Sequence, residues 1–336
     1  MVAETRSDIR KDLTMKDNRK RETSVATEKP EEKSSDRATA QLAVVIVSYN
    51  TRRHLRRCLL SLRKNPISEG SFATIVVDNS SQDGSPEMVK KHFPEVYLIE
   101  NDDNRGFAKG CNQGFRAIDA NYYLLLNSDA AVMGNALDVL VSFMDANPDV
   151  GATGGLIFTE DGNIQPSTLQ YPTYWNLMFS RSSLLSKIPI FRWKMEELRK
   201  LPEDLSDVSA LAGGFIIFRN EALEQVGLLD ERYFLYLEDV DICKRLKKAG
   251  WRIVFNPNAR ILHAWGASSK KRRKKAFWWH HMSMFKYFQK HYPYLLPINL
   301  LLLLGLVVHF GAWWTIHSLT GWRAFKKEDS RNGKSR

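Results

Sequence analysis

From Leu42 onward the chain alternates short apolar runs with amphipathic stretches. LAVVIVSYN (42–50) has the unbroken apolar character of a strand buried on both faces, closed by turn residues. RRHLRRCLLSLRKN (52–65) then spaces Leu55, Leu59 and Leu62 at helical intervals among basic residues. The pattern repeats. ATIVVDNSS, VYLIEN, YYLLLNSDA and VGATGGLIF are predicted strands, and SPEMVKKHF, GFAKGCNQGFRAI and 135–146 are predicted helices between them. SALAGGFIIFRNEALEQVGLLD (209–230) predicts a strand followed by a short helix, and RIVFNP and ARILHAWGASS predict two further strands. Strand–helix units of this size predict an α/β fold, a mostly parallel sheet covered by helices on both faces.

Such sheets bind ligands beyond the carboxyl ends of their strands. Polar residues gather there: Ser48, Tyr49 and Asn50 after the first strand, Asp78 and Asn79 after the second, Asp129 after the fourth. In Tyr233–Trp251, YFLYLEDVDICKRLKKAGW, a helix is predicted from Glu238, with Ile242, Cys243, Leu246 and Ala249 as its apolar stripe and Gly250 as its C-terminal cap. Helical spacing turns Asp239 toward the buried side in the first turn, with Glu238 and Asp241 nearer the flanks. An inward carboxylate is costly unless something there requires it.

The C-terminal part differs in kind. YLLPINLLLLLGLVVHFGAWWTI, about 294–316, approaches the ~20 apolar residues that cross a bilayer. Tyr294, Trp313 and Trp314 stand at its ends as interface anchors, while Pro297, His309 and Gly311 leave a shallow or re-entrant segment open. The net charge of +11 belongs to this region, since Lys270 to Arg336 hold 14 basic and 2 acidic residues. The main body is therefore close to neutral, and a nucleic-acid partner is not expected. KKRRKK (270–275) lacks a stacking-aromatic platform and precedes the apolar span, so membrane-surface binding is the better reading. The charge flanking the span places the main domain on the cytoplasmic side. Residues 1–40 have no aromatics, nearly balanced charge (10 basic, 9 acidic) and no apolar leader, which predicts a disordered extension without a secretory signal. Three cysteines without metal-ligand spacing suit a reducing compartment. The expected organisation is 1–40 extension, 41–269 catalytic domain and 270–336 basic, membrane-associated tail.

Several motifs carry two readings. Gly106, Gly110 and Gly114 recur every fourth residue, which serves tight helix–sheet packing, although Arg105 and Asn112 beside them suit a diphosphate or a base. Asp129 is either a helix cap or a hard oxygen ligand for Mg²⁺ or Mn²⁺. A lone His263 in ILHAW is, by itself, a core histidine.

Taken together, VVIVSYN, VVDNSSQDGS, NRGFAKGCNQG, LLLNSDA, the long segment from Gly213 to Trp251, and ARILHAWG resemble the family 2 glycosyltransferases, particularly their bacterial rhamnosyltransferase-like branch. The resemblance runs from Val44 to about Ser269 and implies a GT-A fold, a Rossmann-like sheet. It assigns Ser48, Tyr49, Asn50 and Asp78 to the donor nucleoside, and Arg105, Gly106 and Asn112 to the segment closing over the nucleotide. It places Asn127 and Asp129 at the first and last positions of the D-x-D element, Asp129 holding the divalent metal together with His263. Asp239 becomes the catalytic base with Glu238 beside it, and Gly213 and Gly214 lie near the acceptor. The implied activity is inverting transfer of a sugar, rhamnose first among candidates, from a dTDP- or UDP-sugar to a lipid-linked or polysaccharide acceptor. A base is needed because a hydroxyl is a weak nucleophile near neutral pH, and the helix N-terminus is expected to keep Asp239 ionised. The competing reading is a catalytically silent nucleotide-sugar binding module or a membrane-anchored nucleic-acid binder. A nucleotidyltransferase is disfavoured because SYNT stands where its Gly-rich phosphate loop would be.

Overall fold

The computed structural model describes residues 39–178, 200–264 and 273–319. The N-terminal extension, the centre of the Trp- and Lys-rich stretch before Ser209, and residues 270–272 of the polybasic run lie outside them.

The apolar runs become strands β1 (Ala40–Ser48), β2 (Phe72–Asp78), β3 (Tyr97–Glu100) and β4 (Ala120–Leu126). They form the parallel half of the main sheet in the order β3-β2-β1-β4. β5 (Ala130–Val132) and β6 (Val150–Phe158) follow in the chain, then short β7 (Ile164–Gln165), β8 (Thr168–Leu169), β9 (Ser206–Asp207) and β10 (Ala210–Leu211), and then β11 (Phe215–Arg219) and β12 (Arg252–His263). β8 and β10 pair with each other as a separate ribbon, while the main sheet continues β4-β11-β6-β12-β5.

β11 runs antiparallel to both neighbours, so the sheet is mixed rather than uniformly parallel. The reason is local. β11 starts at the rim where β4 ends, directly after Gly213-Gly214, and can only run back into the sheet; Phe215 is therefore paired with Leu126. RIVFNP and the start of ARILHAWGASS form one strand, with an irregularity between Phe255 and Arg260; the end of the second stretch, 265–269, lies outside the described residues. This strand carries His263 beside Ala130 of β5.

Helices cover both faces. On one side α1 (Arg52–Lys64), α2 (Ser85–His92) and α4 (Ala136–Ala146) bury Leu55, Leu62, Val89, Leu140 and Met144 against Val44 and Leu124. On the other side α3 (Phe107–Ala117), α6 (Asn220–Val226) and α7 (Glu238–Lys248) supply Cys111, Phe115, Leu223, Ile242 and Leu246. The short α5 (Tyr174–Met178) lies between the α4 and α6 regions in sequence. The three cysteines are free and buried, as a reducing compartment allows. The glycine spacing in α3 serves packing: a Cβ on Gly114 would lie 2.3 Å from Cγ1 of Val45 in β1. α7 ends as its sequence prescribes, with Gly250 at φ +94° and Trp251 N–H donating back to the carbonyl of Leu246.

The C-terminal tail forms α8 (Arg273–His291), a 3₁₀ turn (Pro293–Leu295) and the 24-residue α9 (Leu296–Leu319), which holds most of the apolar span. α8 packs Met284, Tyr287 and Phe288 into the same core as α7.

Candidate active site

A cleft of about 310 Å³ opens at the carboxyl rim of the parallel strands, where the sequence placed it. One wall is the turn between β4 and β5. Asn127, Ser128 and Asp129 line the cleft there, with His263 from the end of β12 and Gln165 from β7. Asp129 Oδ1 lies 2.9 Å from His263 Nε2, and both side chains are nearly buried. The other imidazole nitrogen, Nδ1, is 3.0 Å from Gln165 Oε1. Asn127 Nδ2 lies 3.2 Å from Nε2 as well. His263 is engaged at both ring nitrogens and lines the cleft, and Asp129 is not the cap of α4, which begins seven residues later.

This donor set fits a divalent cation. A carboxylate oxygen and an imidazole nitrogen 2.9 Å apart are donor types that would hold Mg²⁺ or Mn²⁺. Among the described residues no group of three or more His, Cys, Asp or Glu side chains could hold a metal. Two protein ligands leave the remaining positions to water and substrate oxygens, the usual arrangement where a metal bridges to a phosphate.

The opposite wall is the loop before α7. Phe234, Leu235 and Tyr236 line the cleft and lead into Glu238 and Asp239. Tyr236 (φ +70°) and Leu237 (φ +69°) are consecutive left-handed residues, each costing on the order of 1–2 kcal/mol. The strain is held by Ser283 of α8, whose hydroxyl donates to the carbonyl of Leu235, and by Asp241 N–H, which donates to that of Leu237. The kink aims the first turn of α7 along the rim, an orientation no propensity in YFLYLED announces.

Asp239 is half-buried and faces the cleft, while Glu238 and Asp241 are the buried acids, reversing the expected order. The left-handed residues ahead of the helix rotate its start relative to the simple wheel. Asp239 Oδ2 accepts from Gly213 N–H and Oδ1 from Val240 N–H, both at 2.8 Å. Burial pushes its pKa up against these two donors, so desolvation outweighs the expected effect of the helix terminus. Glu238 is raised further, by burial and then by the charge of Asp239, and its Oε2 has no partner. With both oxygens of Asp239 receiving N–H bonds and one of Glu238 receiving none, Glu238 holds the proton and Asp239 carries the charge.

Gly213 and Gly214 join the two walls. Gly213 N–H donates to Asp239, and the carbonyl of Gly214 accepts from Asn127 N–H. A Cβ on Gly214 would come within 2.8 Å of Asn127 Nδ2, so side chains are excluded where the walls meet.

The remaining sequence-derived residues divide. Tyr49, Gly106 and Asn127 line the cleft. Ser48, Asn50 and Asp78 lie behind it: Ser48 bonds Thr51, which donates to Ser128; Asn50 and Asp78 accept from the backbone of Gln82 and Ser81. Asp78 is buried, raised in pKa by desolvation, and keeps Oδ2 unpartnered. Asn112 and Arg105 do not reach the cleft. Asn112 is clamped to the backbone of Leu229 through both amide atoms, because α3 turns it toward the loop after α6, and Arg105 pairs with Asp103. Gln165, Trp279 and Ala276, which complete the lining, come from segments without a local motif.

The profile of "Glycosyl transferase family 2" matches residues 43–227, so the chain belongs to the family 2 glycosyltransferases. It is 33% identical over 238 residues to "N-acetylglucosaminyl-diphospho-decaprenol L-rhamnosyltransferase" of Mycobacterium tuberculosis, covering 67% of this chain and 76% of that protein. It is 24% identical over 189 residues to "Poly-beta-1,6-N-acetyl-D-glucosamine synthase" of Staphylococcus aureus, covering 55% of this chain and 41% of that one. In fold it resembles the mannosyltransferase PcManGT of Pyrobaculum calidifontis, solved with GDP-Man and Mn²⁺ (TM-score 0.50, 17% identity, 90% of this chain and 87% of that one). It also resembles GalNAc-T7, solved with UDP, GalNAc and Mn²⁺ (TM-score 0.51, 18% identity, 67% of this chain and 43% of that one). The fold is GT-A.

Proposed function

We propose that the protein is an inverting, metal-dependent glycosyltransferase. It moves a sugar, rhamnose first among candidates, from a dTDP- or UDP-sugar to a lipid-linked acceptor at the cytoplasmic face of a membrane. One observation carries the reading: the carboxylate of Asp239, fixed by Gly213 N–H, shares a cleft with the Asp129–His263 pair across a two-glycine bridge. The Mycobacterium relative, named for rhamnosyl transfer to a diphospho-decaprenol acceptor, supports the donor and acceptor classes.

Asp239 is the base. It takes the proton from the acceptor hydroxyl as that oxygen attacks the anomeric carbon, and the nucleoside diphosphate leaves from the opposite face. Two backbone N–H groups orient both carboxylate oxygens, so the base does not rotate away. Protonated Glu238 avoids a second negative charge beside it. Asp129 and His263 would hold a divalent cation, which when bound stabilises charge gathering on the leaving diphosphate. Tyr49 and Gly106 line the end of the cleft that would take the nucleotide, with Asp78 behind it.

The reading is tested by incubating the full chain with Mn²⁺, a panel of labelled nucleotide sugars and a polyprenyl-diphosphate-linked N-acetylglucosamine. Mass spectrometry should show one deoxyhexose added to the acceptor from a dTDP- or UDP-linked donor. Absence of transfer from every donor, with no thermal stabilisation by any nucleoside diphosphate plus metal, would leave only the fold.

A further inference from the structure

We propose that α9 does not cross the bilayer but lies in the plane of one leaflet, buried between this protein and lipid, with both of its ends on the side of the catalytic domain. The proposal deepens the membrane attachment in the reading above and is independent of which sugar is moved.

By length and apolarity α9 alone among the described helices could cross a membrane. Its side-chain pattern says otherwise. The inward-facing positions are Asn299, Leu302, Leu303, Leu306, His309 and Phe310, a seam with helical spacing over residues 299–310. Each end of the seam is fastened. Asn299 is buried and accepts from Tyr174 Oη at 2.7 Å while its amide donates to the carbonyl of Tyr292. Leu302 and Leu306 pack against the domain core. Further along, His309 Nδ1 lies 2.9 Å from His281 Nε2 of α8, Phe310 packs on Trp278, and Lys274 sits 4.0 Å over the ring of Trp314. α8 and α9 thus form a closed antiparallel hairpin.

α8 cannot follow α9 into hydrocarbon. Its other side holds Lys286 on the carbonyl of Arg232 and Lys290 on Asp230 and Asp241, and Ala276 and Trp279 line the cleft. A membrane-normal α9 would carry these charges and the cleft rim into the bilayer, which lipid does not tolerate. Yet the outward side of α9 is wholly apolar: Leu300, Leu301, Leu304, Val307 and Val308 are exposed. A contiguous apolar face on a helix that is apolar all round requires a cover on each side. The domain covers one. Anionic lipid suits the other, because Lys274 and Lys275 stand in the first turn of α8 and in the sequence they close the basic run KKRRKK, which would meet acidic headgroups. In that pose α8 sits between the leaflet and the cleft, so a lipid-linked acceptor enters past Trp279 without leaving the membrane.

The test exploits the burial of all three native cysteines. Single Ser7→Cys and Ser335→Cys variants of the full chain are exposed to a membrane-impermeant maleimide in intact spheroplasts and in inverted vesicles. Both cysteines should label in inverted vesicles and neither in spheroplasts; labelling of Ser335→Cys from outside the cell would overturn the in-plane pose. In parallel, Leu301→Glu with Leu304→Glu should lower partition onto vesicles of three parts neutral to one part anionic lipid by about tenfold or more, with the far-UV spectrum retained. Unchanged partition would remove this face as the contact. A dimer of the wild-type chain abolished by the same double variant would assign the face to a second copy and also refute the proposal. If neither cysteine variant sediments with membranes at all, the membrane attachment itself fails, whereas glycosyl transfer to a water-soluble acceptor analogue would still stand.

Discussion

Asp241→Asn probes how the base-bearing helix is fixed. Asp241 is fully buried and meets three nitrogen donors: Arg245 Nε at 2.9 Å, Lys290 Nζ at 2.7 Å and His291 Nε2 at 2.8 Å. These contacts, led by the His291 and Lys290 hydrogen bonds, hold its carboxyl below the usual range despite desolvation. Burial lowers His291, which bonds as a neutral donor. Lys290 retains Asp230 in the variant and Arg245 retains three backbone carbonyls, so neither cation is abandoned. Removing one member of a buried pair costs about 3–5 kcal/mol, and the retained partners place this case near 3. At about 2–4 °C per kcal/mol for chains of 150–250 residues, the melting temperature should fall by about 6–12 °C at pH 7. The pH dependence gives the sign. A carboxyl lowered by folding contributes stability above its unfolded value, near 3.9, and loses it as pH falls through the folded value. The gap between wild type and variant should therefore hold from pH 8 to about 5 and close toward pH 3. A difference under about 2 °C across that range would show that the network is solvated and does not fix α7.

Other outcomes follow from the same geometry. Glu238→Gln should raise the melting temperature at neutral pH. A carboxyl raised by folding costs stability as pH rises above its unfolded value, so the gain should widen between pH 5 and 8; a constant difference would refute the neutral Glu238. Gly114→Ala forces a methyl to 2.3 Å from Val45 and should destabilise by about 1–3 kcal/mol in denaturant titration, with no change if α3 can move off the sheet. His263→Ala should weaken Mn²⁺ activation about 10- to 100-fold, read as the metal concentration for half-maximal rate; an unchanged value would free His263 of that role.

The fold was legible because its strands are buried on both faces: Val44, Leu124 and Ile216 sit in runs that leave no amphipathic ambiguity. The direction of β11 was not, since FIIFR reads the same either way and only its start at the rim sets it antiparallel. Of the residues singled out in the sequence, Asp129, Asn127, Tyr49 and His263 meet in the cleft, whereas Ser48, Asn50 and Asp78 lie behind it. Asn112 was misread because a helical wheel shows its face but not that the loop at Leu229 reaches it first. Gln165 and Trp279 carry no local signal; tertiary pairing of β7 and the return of α8 bring them to the cleft. The rotation that buries Glu238 and exposes Asp239 arises from two left-handed residues that a β-or-helix vocabulary does not anticipate.

The most direct test of the account is the single-turnover rate of Asp239→Asn with saturating donor, Mn²⁺ and acceptor, measured beside nucleoside-diphosphate binding. The account predicts a rate lowered about 10²- to 10⁴-fold with nucleotide affinity retained. Turnover near that of the wild type would contradict it.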